Sequence, residues 1–217
     1  MTQGQPQQHT KAGRPVTNTP DALLDRLIRS AIDILSEQAA DAEFSVTEVA
    51  QRAGISKRTV YTVVASKEEL IAHVIWRGAG VVTPLLDLPV ATAADAREVL
   101  ARFLEVWVAF VCGPLAVGIY VMAIRERCRY PAIGAAYYRA RSDQGLQQLA
   151  AWLERMQRKG FVAESEPVMT ADLALTMAAA ERQRMLALGI DAPVTAEQME
   201  RRIEAVLQFV FGPAQPT

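Results

Sequence analysis

The sequence has few of the residues that enzymes use for chemistry. Histidine occurs twice, at His9 in a polar N-terminal stretch and at His73 with no partner readable from spacing. Cysteine also occurs twice, and Cys112 and Cys128 have neither CxxC metal-site spacing nor the density of a disulfide scaffold. The expected compartment is a reducing cytoplasm, and both thiols read as inert. No phosphate-binding loop, nucleophile elbow or HExxH zinc helix is present. The sequence therefore calls for no catalytic residue, no cofactor and no metal. An excess of one charge is missing too. The 23 Lys and Arg against 24 Asp and Glu leave a formal net charge of -1 and a pI near 6.2, so any contact with a polyanion has to be local. The opening MTQGQPQQHTKAGRP lacks the apolar core of a signal peptide, and residues 1–18 read as a disordered arm.

Apolar residues are plentiful. At 217 residues and 51% hydrophobic content, the chain can bury one substantial core and a small second one. One uncharged run, VWVAFVCGPLAVGIYVMAI from Val106 to Ile124, approaches a bilayer-spanning length. Gly113-Pro114 falls in its middle, where proline removes a backbone donor and clashes with the preceding turn. No cluster of Lys or Arg marks one flank as cytoplasmic. Two helices joined at Gly-Pro are expected, and no membrane partner.

The N-terminal third is punctuated like a set of short helices. Thr19-Pro20-Asp21 supplies a hydroxyl cap, a proline at the first helical position and an acid at the positive dipole end. Leu24, Ile28, Ala31, Ile32 and Leu35 follow at helical spacing. Ser45 with Glu48 has the spacing of a capping box, Gly54 suits a left-handed helix end, and Ser56 caps the next helix. Ser66 with Glu69 repeats the box. Two helices of about two turns cannot stand alone. Their apolar set, Val49, Ala50, Ala53, Ile55, Val60 and Val63, has to pack together and onto the first helix, which describes a helix-turn-helix. Counted from Ala50, Gly54 falls four later, Ile55 five, Val60 ten and Val63 thirteen, as that motif requires. Lys57, Arg58, Thr59, Tyr61 and Thr62 remain outside, on a surface suited to the major groove. Up to Gly80 nine cations and nine acids balance, but Lys57, Arg58 and Lys67 cluster round this surface, and Lys11 and Arg14 lie on the arm. That sorting fits a modest phosphate contribution, with the arm reaching the minor groove.

The segment FSVTEVAQRAGISKRTVYTVVASKEELIAHVI, Phe44 to Ile75, resembles the DNA-binding domain of the TetR/AcrR family of one-component repressors. The resemblance implies that Thr47, Tyr61 and Lys67 hold phosphates and that Lys57, Arg58, Thr59 and Thr62 lie at or near base edges. The chain departs from the family at Val63-Val64, where His-Phe is common.

Past Gly80 the composition shifts to Ala, Leu, Val and Met, and Pro84 and Pro89 interrupt the chain. The expected division is an arm at 1–18, a DNA-binding domain with its connecting helix at 19–80, and a ligand-binding and dimerisation domain at 81–217. Helices are expected near 93–112, 115–129, 131–159, 166–188 and 195–211, with no strand pattern and no repeat. The fold class is therefore all-α, a three-helix helix-turn-helix domain followed by a larger helical domain. YPAIGAAYYRARSDQGLQQLAAWLERMQRKGFV, Tyr130 to Val162, is similar to the AefR-like C-terminal domains of the same family. That similarity implies a ligand pocket among the middle helices and a homodimer made by the last two. The apolar stripes agree: Leu173 and Met177 on the penultimate helix, and Ile203, Val206, Leu207 and Val210 on the last, can face a partner. Pocket candidates are Phe103, Trp107, Phe110, Val111, Tyr120, Met122, Tyr138 and Met177, with Tyr137, Trp152 and Met156 in the same apolar set. Arg125 and Gln144 are candidates to orient a ligand.

The function these features support is a homodimeric transcriptional repressor bound to double-stranded DNA at a palindromic operator and released by a largely apolar small-molecule inducer. Two competing readings remain, a membrane-associated sensor and an enzyme carrying an accessory helix-turn-helix. Binding to a palindromic fragment separates them.

Overall fold

The Thr19 hydroxyl accepts a hydrogen bond from the Ala22 amide (3.3 Å) and so starts α1 (Pro20–Glu37) at the expected proline. The computed structural model describes residues 19–37, 44–79, 83–190 and 194–212. The 1–18 arm with Lys11 and Arg14, and the side chain of Gln144, lie outside the described residues. Among the described residues ten α-helices form and no strand. The buried face of α1 is turned slightly from the expected one. Leu27 and Ile34 are fully buried, and Leu24 and Ile32 are only partly covered, because α4 and α6 both pack against this helix.

The helix-turn-helix at 45–64, called the reader below, follows the local punctuation. Ser45 Oγ accepts from the Thr47 amide (3.2 Å) at the start of α2 (Val46–Arg52). At its end Gly54 takes φ 63°, the Ile55 amide donates to the Ala50 carbonyl (2.9 Å), and the Gly54 amide donates to Gln51 (3.1 Å). This paired closure needs a residue tolerant of positive φ at position 54. Ser56 Oγ then accepts from the Thr59 amide (3.1 Å) to open α3 (Lys57–Val60). That helix is a single turn, shorter than the two expected. After Val60 the bonds from Thr62 to Thr59 and from Val63 to Val60 tighten to i−3, and Thr62 Oγ1 donates to the Thr59 carbonyl (2.7 Å). Hydroxyl competition within a β-branched run ends the α geometry early. The valine at 64, where the family commonly has an aromatic, is buried among α1, α2 and α4. Ser66 opens α4 (Lys67–Ala79) by accepting from the Glu69 amide (3.1 Å).

A 3₁₀ turn (Thr83–Asp87) leads to α5 (Ala93–Val111), α6 (Pro114–Arg125), α7 (Pro131–Arg141), α8 (Gln147–Arg158), α9 (Pro167–Ala187) and α10 (Ala196–Phe211). The long uncharged run is divided between α5 and α6, which bend by 57° at Gly113-Pro114, and among the described residues no single helix is long and apolar enough to cross a membrane. Thr195 and Gln198 form the expected capping box; Thr92 and Asp95 form another that opens α5. The expected 131–159 helix contains a π-helical segment (Ser142–Leu146) between α7 and α8. Gly145 in that segment is buried so closely on the Trp107 ring that a Cβ there would overlap it.

Buried side chains fall into two clusters, and the division does not follow residue 80. One joins the 3₁₀ turn, α5, α8, α9 and α10 around Trp152, Phe103, Leu149 and Leu153. The other joins α1 to α4 with Ile119, Met122 and Ala123 of α6 and Ile133, Ala136 and Ala140 of α7. The helices that carry the reader, α1 and α4, are thus seated on α6 and α7 of the C-terminal part.

Candidate functional site

Lys57 and Arg58 stand at the start of α3, exposed, and among the described residues neither makes an ion pair. Val60 on the same turn is fully buried in the cluster shared with α1, α2 and α4, and α3 packs on α2. Thr59 is drawn into the cap, its Oγ1 2.7 Å from Ser56 Oγ and half-buried. Tyr61 and Thr62 are exposed beside it, and Thr47 is exposed at the start of α2. Of the seven expected contact positions other than the arm, six lie on α2, on α3 and in the turn after it, and Lys67 lies in a different setting. Its ammonium lies 4.9 Å from the Tyr130 ring centroid and 5.8 Å from that of Phe44, half-buried between the reader and the start of α7. Electrostatic attraction to two ring faces holds the cation there. Neighbouring ion pairs fasten the frame: Arg52 to Glu37 (2.6 Å) and Arg77 to Asp25. The Arg77 hydrogen bond holds the Asp25 carboxyl below the usual carboxylate range.

A cavity of about 90 Å³ lies between α4, α5, α6, α7 and α9. Trp107, Phe110 and Val111 of α5 line it as expected by position, and Tyr137 of the wider apolar set joins them. The other candidates lie elsewhere, for reasons of helix phase. Phe103 is one turn before Trp107, stacked on it with centroids 6.3 Å apart, and fully buried in the helical core. Trp152 and Met156 belong to that core as well. Tyr120 sits against Tyr137 (5.6 Å) without reaching the lining, and Met122 points into the cluster shared with α1 and α4. Tyr138, next to Tyr137 but about 100° round the helix, is 67% exposed. Arg125 is exposed at the end of α6 and pairs with Glu126 at 3.4 Å, and Met177 faces outward from α9.

The lining residues that the sequence reading passed over are mostly small or ordinary. Val74 and Ile75 come from α4, and Leu115, Ala116 and Ile119 from α6. On α9, Leu175, Ala179 and Gln183 recur every fourth residue beside Thr176 and Ala180. That spacing was available as a signal, but an alanine face marks space only when a facing wall is known. Two polar groupings interrupt the apolar lining. Gln183 Nε2 donates to the Val111 carbonyl (2.8 Å) and to the Tyr137 hydroxyl oxygen (2.9 Å). Arg141 donates to Asp172 Oδ1 (2.9 Å) and Thr176 Oγ1 (3.5 Å). Burial pushes the Tyr137 phenol above its ordinary range despite the Gln183 bond. Burial likewise raises the Cys112 thiol, which disfavours the nucleophilic thiolate. Among the described residues no group of three His, Cys, Asp or Glu is placed to hold a metal ion.

Residues 98–212, more than half of the chain, match the family model described as the C-terminal domain of AefR-like transcriptional repressors. The chain belongs to the TetR family. FrrA, a flavonoid-responsive regulator, is 27% identical, with 87% of this chain and 95% of its own covered and a TM-score of 0.65. A TetR-family regulator from Mesorhizobium loti is 20% identical over 87% of this chain and 95% of its own, with a TM-score of 0.71. A TetR regulator from Agrobacterium tumefaciens is 16% identical over 88% and 93%, with a TM-score of 0.67. No curated protein matches the chain significantly. TetR-family regulators bind DNA, form dimers and bind small-molecule ligands.

Within this TetR fold the outward apolar surface differs from the expected dimer stripe. Ile203, Val206, Leu207 and Val210 of α10 are buried in the chain's own core against α5 and α9, because the helix turns its single apolar stripe inward. Leu173 (41%) and Met177 (37%) are exposed as expected, and Met169 (57%) and Phe209 (44%) extend the outward set. Arg202 donates to the Met177 carbonyl (2.7 Å) and ties α9 to α10 along this face.

Proposed function

We propose that the protein is a homodimeric repressor whose two reading surfaces enter successive major grooves of a palindromic operator, and that a largely apolar small molecule in the cavity releases it. The observation that carries this reading is the sharing of α4 by both sites. The helix starts immediately after the reader at Lys67, and its later residues Val74 and Ile75 wall the cavity. Lys57 and Arg58 take the base edges with Thr59 and Thr62 beside them, while Thr47, Tyr61 and Lys67 take phosphates. Lys11 and Arg14 reach the minor groove from the arm.

Cavity size supports a switch. An apolar cavity of about 150 Å³ holds one benzene, whereas this one is near 90 Å³. A ring-bearing molecule seats fully in it only by widening its walls, and one that does so binds an expanded arrangement more tightly than this one. Differential affinity of that kind is what shifts a conformational equilibrium. The relationship to FrrA, which is flavonoid-responsive, favours an aromatic inducer. The outward face of Met169, Leu173, Met177 and Phe209 suits a second copy, and two linked readers match grooves one DNA turn, about 34 Å, apart. The location consistent with this role is the cytoplasm.

The test is a mobility shift with DNA flanking the gene. An inverted repeat should shift with a dimer, and an aromatic effector should reverse the shift. If no flanking fragment shifts, the reading falls and the enzyme and membrane-sensor alternatives return.

A further inference from the structure

We infer that the cavity selects a neutral, largely apolar molecule bearing a hydroxyl, and that Tyr137 and Gln183 together read that hydroxyl; this rests on the proposed ligand site. The Val111 carbonyl can only accept, so Gln183 must present its amide nitrogen to it (2.8 Å). The second amide proton goes to the Tyr137 oxygen (2.9 Å). Both protons are then used, and the capacity left on Gln183 is its carbonyl Oε1, an acceptor. Tyr137 has accepted one bond and keeps its own proton to donate. One acceptor and one donor thus stand side by side in a wall otherwise made of groups such as Trp107, Phe110 and Leu175.

A hydroxyl matches that pair, accepting from Tyr137 and donating to Gln183. A hydrocarbon leaves the Gln183 carbonyl and the Tyr137 proton unpaired in apolar surroundings, which a site built to bond a hydroxyl penalises. A carboxylate sets negative charge against the Gln183 carbonyl. The lining cation, Arg141, offers little compensation because Asp172 already holds it at 2.9 Å. Burial keeps the Tyr137 phenol protonated well past neutral pH, so the donor persists over the working range.

Titration of the full chain with 4-methylphenol, toluene and 4-methylbenzoate, followed by ligand-observed NMR, tests this. The expected result is 4-methylphenol binding about ten-fold tighter than toluene. In Tyr137→Phe and in Gln183→Leu that ratio should fall toward one while toluene affinity stays within about two-fold of the parent, a range too small to reflect a lost hydrogen bond. Equal binding of 4-methylphenol and toluene by the parent overturns the inference, whether or not the variants fold. So does a ratio that survives both substitutions, or a preference for 4-methylbenzoate that Arg141→Gln abolishes. If none of the three probes binds, the cavity is no ligand site, and the proposed switch falls together with the inference. Toluene bound without preference leaves the ligand site standing and removes only the hydroxyl.

Discussion

Between Ser45 and Val64 every turn is closed by a bond to a residue no more than five positions away, whereas the cavity is walled by residues drawn from Val74 to Gln183 on five helices. The reader is small, capped at Ser45 and Ser56, and displays its polar residues because Val49, Ala50 and Val60 take up the inward positions. The cavity is the reverse. Its residues are inward, largely apolar, and ordinary taken singly. A functional surface made by local bonding is marked by residue type and spacing, and one made by the meeting of distant helices is marked only by the assembly.

The largest effect that would break this comparison concerns the last two helices, where inward and outward apolar residues alternate in sequence. Leu207→Lys places an unpaired charge in the core and should cost about 3–5 kcal/mol, seen as a loss of folded protein in denaturant titration. Leu173→Lys on the exposed side of α9 should leave stability nearly unchanged and give a folded monomer in sedimentation. A Leu207→Lys chain as stable as the parent would reverse the assignment of core and partner faces.

A middle-sized effect sharpens the reader. Lys57→Ala or Arg58→Ala should cost about 1–3 kcal/mol of operator affinity and relax preference at one base pair. Both side chains are exposed and make no ion pair among the described residues, so folding should be unaffected. A uniform loss across all sequences, measured by competition with altered operators, would make them phosphate contacts instead.

The smallest effect lies where the two regions touch. Tyr130 caps α7, which carries Tyr137 and Arg141 to the cavity, and its ring holds the Lys67 ammonium. Tyr130→Leu removes one of the attractions on the cation, worth about 0.5–1 kcal/mol, and leaves that of the Phe44 ring in place. Ligand-free affinity should rise by two- to five-fold, the equivalent of that energy, alike for every sequence. Unchanged affinity in filter binding would show that the contact with the ring does not compete with DNA.

Legibility in the sequence followed the range of the forces involved. The helix ends near 20, 93, 131, 167 and 196 were readable because prolines, hydroxyl caps and glycines act on their nearest neighbours. The π segment at 142–146 was not readable, since nothing local marks it and the close contact at Gly145 is with the Trp107 ring, about forty residues earlier. In the cavity Trp107, Phe110 and Val111 were legible as bulky groups on one helix. Gln183 and Arg141 were not, because nothing in their local sequence separates a polar residue facing an internal space from one facing water.

By itself, then, the sequence determined that the chain is helical, where its helices start and stop, and which short stretch forms the reader. Propensity, capping and turn closure are settled within a few residues. Tertiary structure decided which apolar stripe of α10 turns inward, which tyrosine of the pair at 137 and 138 meets the cavity, and that α6 and α7 pack on α1 and α4. Those outcomes depend on the phase of one helix against another. Shifting a helix by one residue rotates every side chain by about 100°, so the choice is made by the packing of the whole set.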